Sequence, residues 1–235
     1  MVDAALHRDL RMHLEEIRFL AFGRALPAVL FAVLGYRVLL NLVGQIRAVG
    51  PHPGLAAVAA GPLPTSLYLL FCAIPVGVYL VRPRPAARDG RIAARAAGLV
   101  GTCMLLAVGA LPTPIVFAVP AALSALATPI AILAFSLAIF GLLHLRRNLS
   151  IIPEARRLVT SGPYRVIRHP LYAGEMLAAV AVLLPRPGLW GVIALAPYFA
   201  VQLLRAHFEE QLLGRAFPQY REYRQHTWRL VPLVW

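Results

Sequence analysis

The chain has 235 residues, 60% of them hydrophobic, with a formal charge of +13 and a mean hydropathy of +0.71. That composition excludes an ordinary soluble domain, and the long apolar runs with charges confined to the gaps are the pattern of membrane helices. All 23 basic residues are Arg, and they sit in loops beside apolar runs. Anionic lipid head groups and the positive-inside bias account for this better than nucleic acid, so membrane lipids are the expected partner and no nucleic acid is.

Residues 2–18 carry Leu6, Leu10, Leu14 and Ile17 at helical spacing among charges, which predicts an amphipathic helix on the membrane surface. Asp3, Asp9, Glu15 and Glu16 argue against a cleaved signal peptide. Apolar spans follow at about 19–46, 63–81, 94–111 and 121–145. Residues 19–145 are therefore read as transmembrane helices 1–4. Arg37 lies inside the first span, where a charge is costly, and is read either as snorkelling to the far interface or as paired within the bundle. Pro75 and Pro129 are expected to bend their helices. Cys72 and Cys103 have no CxxC and no His at ligand spacing, so both read as small buried hydrophobes. No His/Asp/Glu set has ligand spacing either, and no metal site is expected.

The segment 146–235 differs in texture. Two further spans, at about 171–184 and 189–204, are joined by the tight turn Pro185-Arg186-Pro187-Gly188, which predicts a helical hairpin. Arg residues alternate by loop, dense after spans two, four and six and sparse on the other side. This predicts an all-α bundle of about six transmembrane helices, multi-pass, with both termini on the cytoplasmic side.

Two polar clusters interrupt the apolar pattern on that same side. The first is Arg156 to Glu175. Gly162-Pro163 breaks any helix, and Pro170 bars His169 from helical geometry while opening the next helix. A short constrained loop thus presents Tyr164, Arg165, Arg168 and His169 just before a helix N-terminus, a good place for an anionic or polar ligand. The second cluster runs from Arg205 through His207, Glu209 and Glu210 to Tyr220 and Tyr223. Arg205 and Glu209 are four apart and share a helix face, which predicts that they pair. His207 and His226 read as solvated. Tyr220, Tyr223, Trp228 and Trp235 read as packing or interfacial anchors.

Together the clusters resemble the signature of the isoprenylcysteine carboxyl methyltransferase family. The matching residues are Gly162, Pro163, Tyr164, Arg168, His169, Pro170, Tyr172 and Gly174, then Arg205, Glu209, Glu210, Leu213, Tyr220 and Tyr223. The likeness covers the last third of the chain, and phospholipid N-methyltransferases share a similar C-terminal pattern. It implies a membrane methyltransferase using S-adenosylmethionine, held between the last helices and their loops in a site on the cytoplasmic face. Its contacts would come from Leu158, Val159, Gly162, Tyr164, Arg168, His169, Tyr172, Glu209 and Glu210, with Arg168 or Arg165 on the donor carboxylate. The likeness further implies a lipophilic, isoprenoid-like carboxylate as acceptor, oriented by Arg205 and its partner Glu209 as the catalytic pair. Phospholipid head-group N-methylation, or a transporter or scaffold without activity, are the alternatives. Against transport, the sequence is read as having no acidic residue deep in a span. No protein partner is indicated.

Overall fold

The computed structural model describes residues 10, 12–51, 54–108, 118–185 and 187–233. The described residues are mostly helical, with one two-residue β-pair among them. The predicted all-α membrane bundle is borne out, and among the described residues four helices are long and apolar enough to cross a membrane. These are α1 (Met12–Val49), the α2–α3 stretch (Ala57–Val81, with α2 at Leu55–Ala60 and α3 at Pro62–Val81), α5–α6 (Ala121–Ala125 and Ala127–Leu145) and α8 (Leu189–Ala216). Two apolar helices are shorter: α4 (Ile92–Val108) and α7 (Pro170–Leu183). The 14 residues of α7 rise only about 21 Å, less than the ~30 Å hydrocarbon core.

The surface helix predicted for 2–18 falls largely outside the described residues. Its described part, from Met12, is helical, exposed and continuous with the first span. The continuity passes through a π-helical stretch, Phe19–Ala25, where Arg24 donates two hydrogen bonds to the carbonyl of Arg82, at 3.1 and 2.8 Å. Pro75 lies inside α3 as predicted, whereas Pro129 falls in the first turn of α6, where its missing N–H costs nothing. Cys72 is fully buried; Cys103 is exposed, against expectation.

The core is a stack of α1, α3, α6 and α7 around Phe71, Tyr79, Phe135, Leu142 and Leu171. Small residues set the closest approach. A Cβ on Gly174 of α7 would lie 2.8 Å from the Ala134 carbonyl oxygen and 2.9 Å from the Ala138 Cβ on α6. Glycine there lets the two backbones meet, as at packed membrane helices generally.

The ends of α3, α6 and α8 and the start of α7 converge on one face. There the loop after α3 pairs with the loop after α6 through β1 (Ala87–Arg88) and β2 (Glu154–Ala155), antiparallel. The chain beyond α8 forms a short helix, α9 (Tyr220–Gln225), and then returns to the loop before α7. Arg168 N donates to the Trp228 carbonyl at 2.8 Å, His169 N to Arg229 at 3.1 Å, and Trp228 N to Val166 at 3.1 Å. Trp228, expected as an interfacial anchor, thus also tethers the C-terminal tail through its backbone. Trp235 lies outside the described residues.

Candidate functional site

The loop before α7 is built around two backbone constraints. Gly162 has φ +60°, and a Cβ there would sit 2.2 Å from the His144 ring of α6, so both conformation and space require glycine. Tyr164 packs behind it, buried, its carbonyl accepting from the Tyr223 hydroxyl at 2.7 Å. Burial pushes the Tyr164 hydroxyl well above its ordinary pKa, so it stays protonated. His169, outside helical geometry before Pro170, is the N-cap residue of α7.

The two polar clusters meet. His169 Nε2 lies 3.1 Å from Glu210 Oε1, and Nδ1 lies 3.9 Å from Glu209 Oε2. Arg168 Nε donates to the same Glu210 oxygen at 2.8 Å, and its Nη1 donates to the carbonyls of Arg224 and Thr227. Arg229 Nε is 3.5 Å from Glu210 Oε1. Glu210 is therefore enclosed by cations from the loop and the tail and locks three segments together. The Tyr172 hydroxyl donates to Glu209 Oε2 at 2.9 Å, and the Tyr172 ring stacks on His169 with centroids 5.4 Å apart and an interplanar angle of 11°.

Arg205 departs from the sequence reading. Its predicted i,i+4 partner Glu209 makes no ion pair with it within 4 Å, because Glu209 turns toward Tyr172 and His169. Arg205 is 5% exposed and points instead into the bundle. Its Nη1 donates to Gln202 Oε1 at 2.7 Å and stands 3.7 Å from Glu175 Oε2, while the guanidinium carbon lies 4.8 Å from the Tyr172 ring centroid. The amide of Gln202, itself fully buried, bridges the cation and the anion. Its oxygen accepts from Arg205 and its nitrogen donates to Glu175 Oε2 at 2.6 Å and to the Tyr198 hydroxyl at 3.0 Å. An amide can accept on one side and donate on the other, which neither a carboxylate nor a guanidinium can. Arg205 Nε is buried without a hydrogen-bond partner among the described residues.

Tyr164, Arg168, His169, Tyr172, Glu175, Arg205 and Glu209 line one cavity, open at its mouth. Of the predicted site residues, Tyr164, Arg168, His169, Tyr172, Arg205 and Glu209 face it; Glu210 stands just behind, holding Arg168 and His169. Leu158 lines a separate shallow depression with Phe217, Tyr223 and His226, and Val159 and Gly162 line neither. Arg168 lines the cavity with Nε engaged by Glu210 and Nη1 by two carbonyls, and Arg165 is exposed outside the cavity.

Sequence reasoning missed Glu175, Gln202 and Tyr198, and the lining strap from Asn148 to Glu154. Glu175 overturns the expectation of no acidic residue deep in a span: it sits one and a half turns into α7, 9% exposed. Tyr198, Gln202, Arg205 and Glu209 recur at spacings of four, three and four along α8, one continuous face. That stripe was the available signal. Across the cavity mouth, Glu154 is buried beneath Arg156 at 2.7 Å, Arg88 at 2.9 Å and Arg82 at 3.4 Å, and accepts from the Ser150 hydroxyl at 2.7 Å. Among the described residues no group of His, Cys, Asp and Glu is arranged to hold a metal ion.

The site can be set beside known proteins. Residues 123–220, about 42% of the chain, match the model of the phospholipid methyltransferase family. The chain is also similar to the cobalt-zinc-cadmium resistance protein CzcN of Cupriavidus metallidurans, 36% identical over 78 residues. That match covers 32% of this chain and 35% of CzcN, so the chain spans about a third of the length of the curated relative it matches.

Proposed function

We propose that the protein is an integral membrane methyltransferase that uses S-adenosylmethionine to methylate a lipophilic carboxylate. The observation that carries the reading is the Arg205 guanidinium, buried at the cavity with its Nε unpartnered. A buried N–H of a charged group without an acceptor is costly, and an incoming carboxylate satisfies it with a charge-assisted bond. Gln202 holds the guanidinium from behind, so its direction is set before the acceptor arrives. This replaces Glu209 in the orienting role.

S-adenosylmethionine would supply an electrophilic methyl group on a sulfonium. The donor set facing the cavity suits such a ligand: Glu209 is part-exposed and offers a carboxylate to a diol or an ammonium, and Tyr172, His169 and Tyr164 offer rings and polar edges. Arg168 and Glu210 fix His169 in place. A carboxylate acceptor is already ionised and needs no general base, so the residues are asked mainly to align two partners and keep water out. The strap from Asn148 to Glu154, pinned by Arg82, serves the second task. The site is taken to lie on the cytoplasmic face, from the Arg-rich loops that gather there.

Titration of the purified full chain with S-adenosylmethionine in nanodiscs tests the donor: saturable binding is expected, and none with the fold intact rejects it. Incubation with labelled donor and membrane lipid extract tests the acceptor. A base-labile methyl ester is expected, whereas a base-stable N-methyl product assigns the reaction to phospholipid head groups.

A further inference from the structure

A second concavity lies on the opposite side of Glu175. It is a groove between α1, α3, α6 and α7, about 1630 Å³ counted to its open side, and it adjoins the cavity at Leu34, Phe71 and Glu175. From there it runs toward the ends of the helices remote from the cavity, reaching Gln45, Thr65, Thr128 and Pro185. Glu175 to Pro185 is ten residues, roughly 15 Å of rise if helical throughout, which matches half of a ~30 Å hydrocarbon core.

The two walls of the groove differ. One is apolar and small, formed by residues such as Ala131, Phe135, Ala138 and Ala178. The other is a polar stripe on α1, Arg37, Asn41 and Gln45, spaced four apart and so on one helix face. Gln45 Nε2 donates to Asn41 Oδ1 at 3.2 Å, which leaves Gln45 Oε1 buried with no donor among the described residues. Arg37 makes no hydrogen bond or ion pair among the described residues. The paired role within the bundle that its position invited is not seen there. Arg37 is exposed on the open side of the groove, and a charge within a span is a candidate for ligand contact.

We propose that this groove binds one anionic glycerophospholipid whose head group carries a free hydroxyl, with phosphate on Arg37, hydroxyl on Gln45 Oε1 and an acyl chain along the Ala and Phe wall. The charge on the polar wall calls for an anion. The orphaned carbonyl oxygen calls for a donor on the same ligand. Zwitterionic lipids answer the first demand poorly, since their own cation opposes Arg37. This site is separate from the methyl-transfer reading and stands or falls without it.

The full chain, delipidated in detergent and offered equal amounts of phosphatidylglycerol and phosphatidylcholine, is washed and its retained lipid quantified by mass spectrometry. Preferential retention of phosphatidylglycerol is expected. Arg37→Gln should lower that preference about fivefold, the effect of one Arg on an anionic head group, while Arg146→Gln on the opposite face should leave it unchanged. Gln45→Leu, which keeps the charge, should selectively weaken phosphatidylglycerol relative to phosphatidic acid, which lacks the hydroxyl. Equal retention of both lipids, or a preference untouched by both Arg37→Gln and Gln45→Leu, overturns the proposal. So does displacement of the phospholipid by a farnesylated thioether carboxylic acid with no dependence on Arg37, which would give the groove to the acceptor.

Discussion

Two ionic clusters flank the same cavity, and they are built to opposite rules. Around Glu154, three guanidiniums and a hydroxyl converge on one carboxylate. Around Arg205, one guanidinium makes a single hydrogen bond among the described residues, to an amide that is itself held by Glu175 and Tyr198; buried unmatched N–H groups occur in both clusters, at Arg82 Nε, Arg156 Nη1 and Arg205 Nε. The difference separates a fastening from a binding group. A carboxylate outnumbered by the cations around it fixes geometry, whereas Arg205, at the cavity and 3.7 Å from Glu175, keeps capacity for an incoming anion. The Glu210 cluster sorts with the first kind: Arg168, His169 and Arg229 surround its carboxylate, and it holds the tail and the loop together rather than facing the cavity.

The largest expected effect falls on the fastening. Glu154→Gln leaves Arg82 and Arg156 buried without their anion, and should lower stability by about 3–5 kcal/mol, measured by thermal melting in detergent. The acid limb of stability tests the same cluster. Burial alone would raise the Glu154 carboxyl, but Arg156, the Ser150 hydroxyl and Arg82 outweigh it and hold it below the ordinary carboxylate range. A folded-state value below the unfolded one means that its contribution is complete above the unfolded value, near ~4.3 for Glu, and is lost as the pH falls through the folded value. The melting temperature should drop across that acidic window, and the drop should flatten in Glu154→Gln.

At the binding cluster the readout reverses. Arg205→Ala should reduce kcat/KM by at least about 10²-fold through misplacement of the acceptor while donor binding, followed by titration, stays near wild type. Gln202→Leu should weaken turnover less, and Gln202→Glu should do more harm by placing a second carboxylate against Glu175. If Arg205→Ala turned over normally, the contrast between the two clusters would carry no functional meaning.

Smaller effects sharpen the structural half. Gly174→Ala pushes a methyl into the α6 backbone and should cost about 1–3 kcal/mol, the range for overpacking. Tyr223→Phe loses the bond to the Tyr164 carbonyl and should cost about 1 kcal/mol, with a proportionate fall in melting temperature.

Much of this architecture was legible because hydropathy and proline are local signals. The six apolar stretches, the hairpin at Pro185 to Gly188 and the break at Gly162-Pro163 were all readable, and so was the gathering of His169 with Glu209 and Glu210 on one face. What was not legible was rotation about a helix axis. Arg205 and Glu209 lie four apart, and the spacing alone predicts a pair. Tyr172 and His169 compete for Glu209 from another helix, and Gln202 and Glu175 draw Arg205 inward. Glu175 was hidden for a related reason. It reads as the end of the polar cluster Arg156 to Glu175, and its burial depends on Gln202 and Arg205 reaching it from another helix. Leu158, Val159 and Gly162 do not line the cavity, because a motif fixes order along the chain and leaves open which way the loop faces. Gly162 is there for a positive φ and for the His144 ring against it.

The central claim is that the Arg156–Glu175 loop and the Arg205–Glu210 helix face form one binding site for a methyl donor. Equilibrium binding of S-adenosylmethionine to the purified wild-type chain, beside Glu209→Gln and Tyr172→Ala, tests it most directly. One saturable site, weakened in both variants with their melting temperatures preserved, is the predicted result. Binding unchanged in both variants, or absent from a folded wild-type protein, would contradict it.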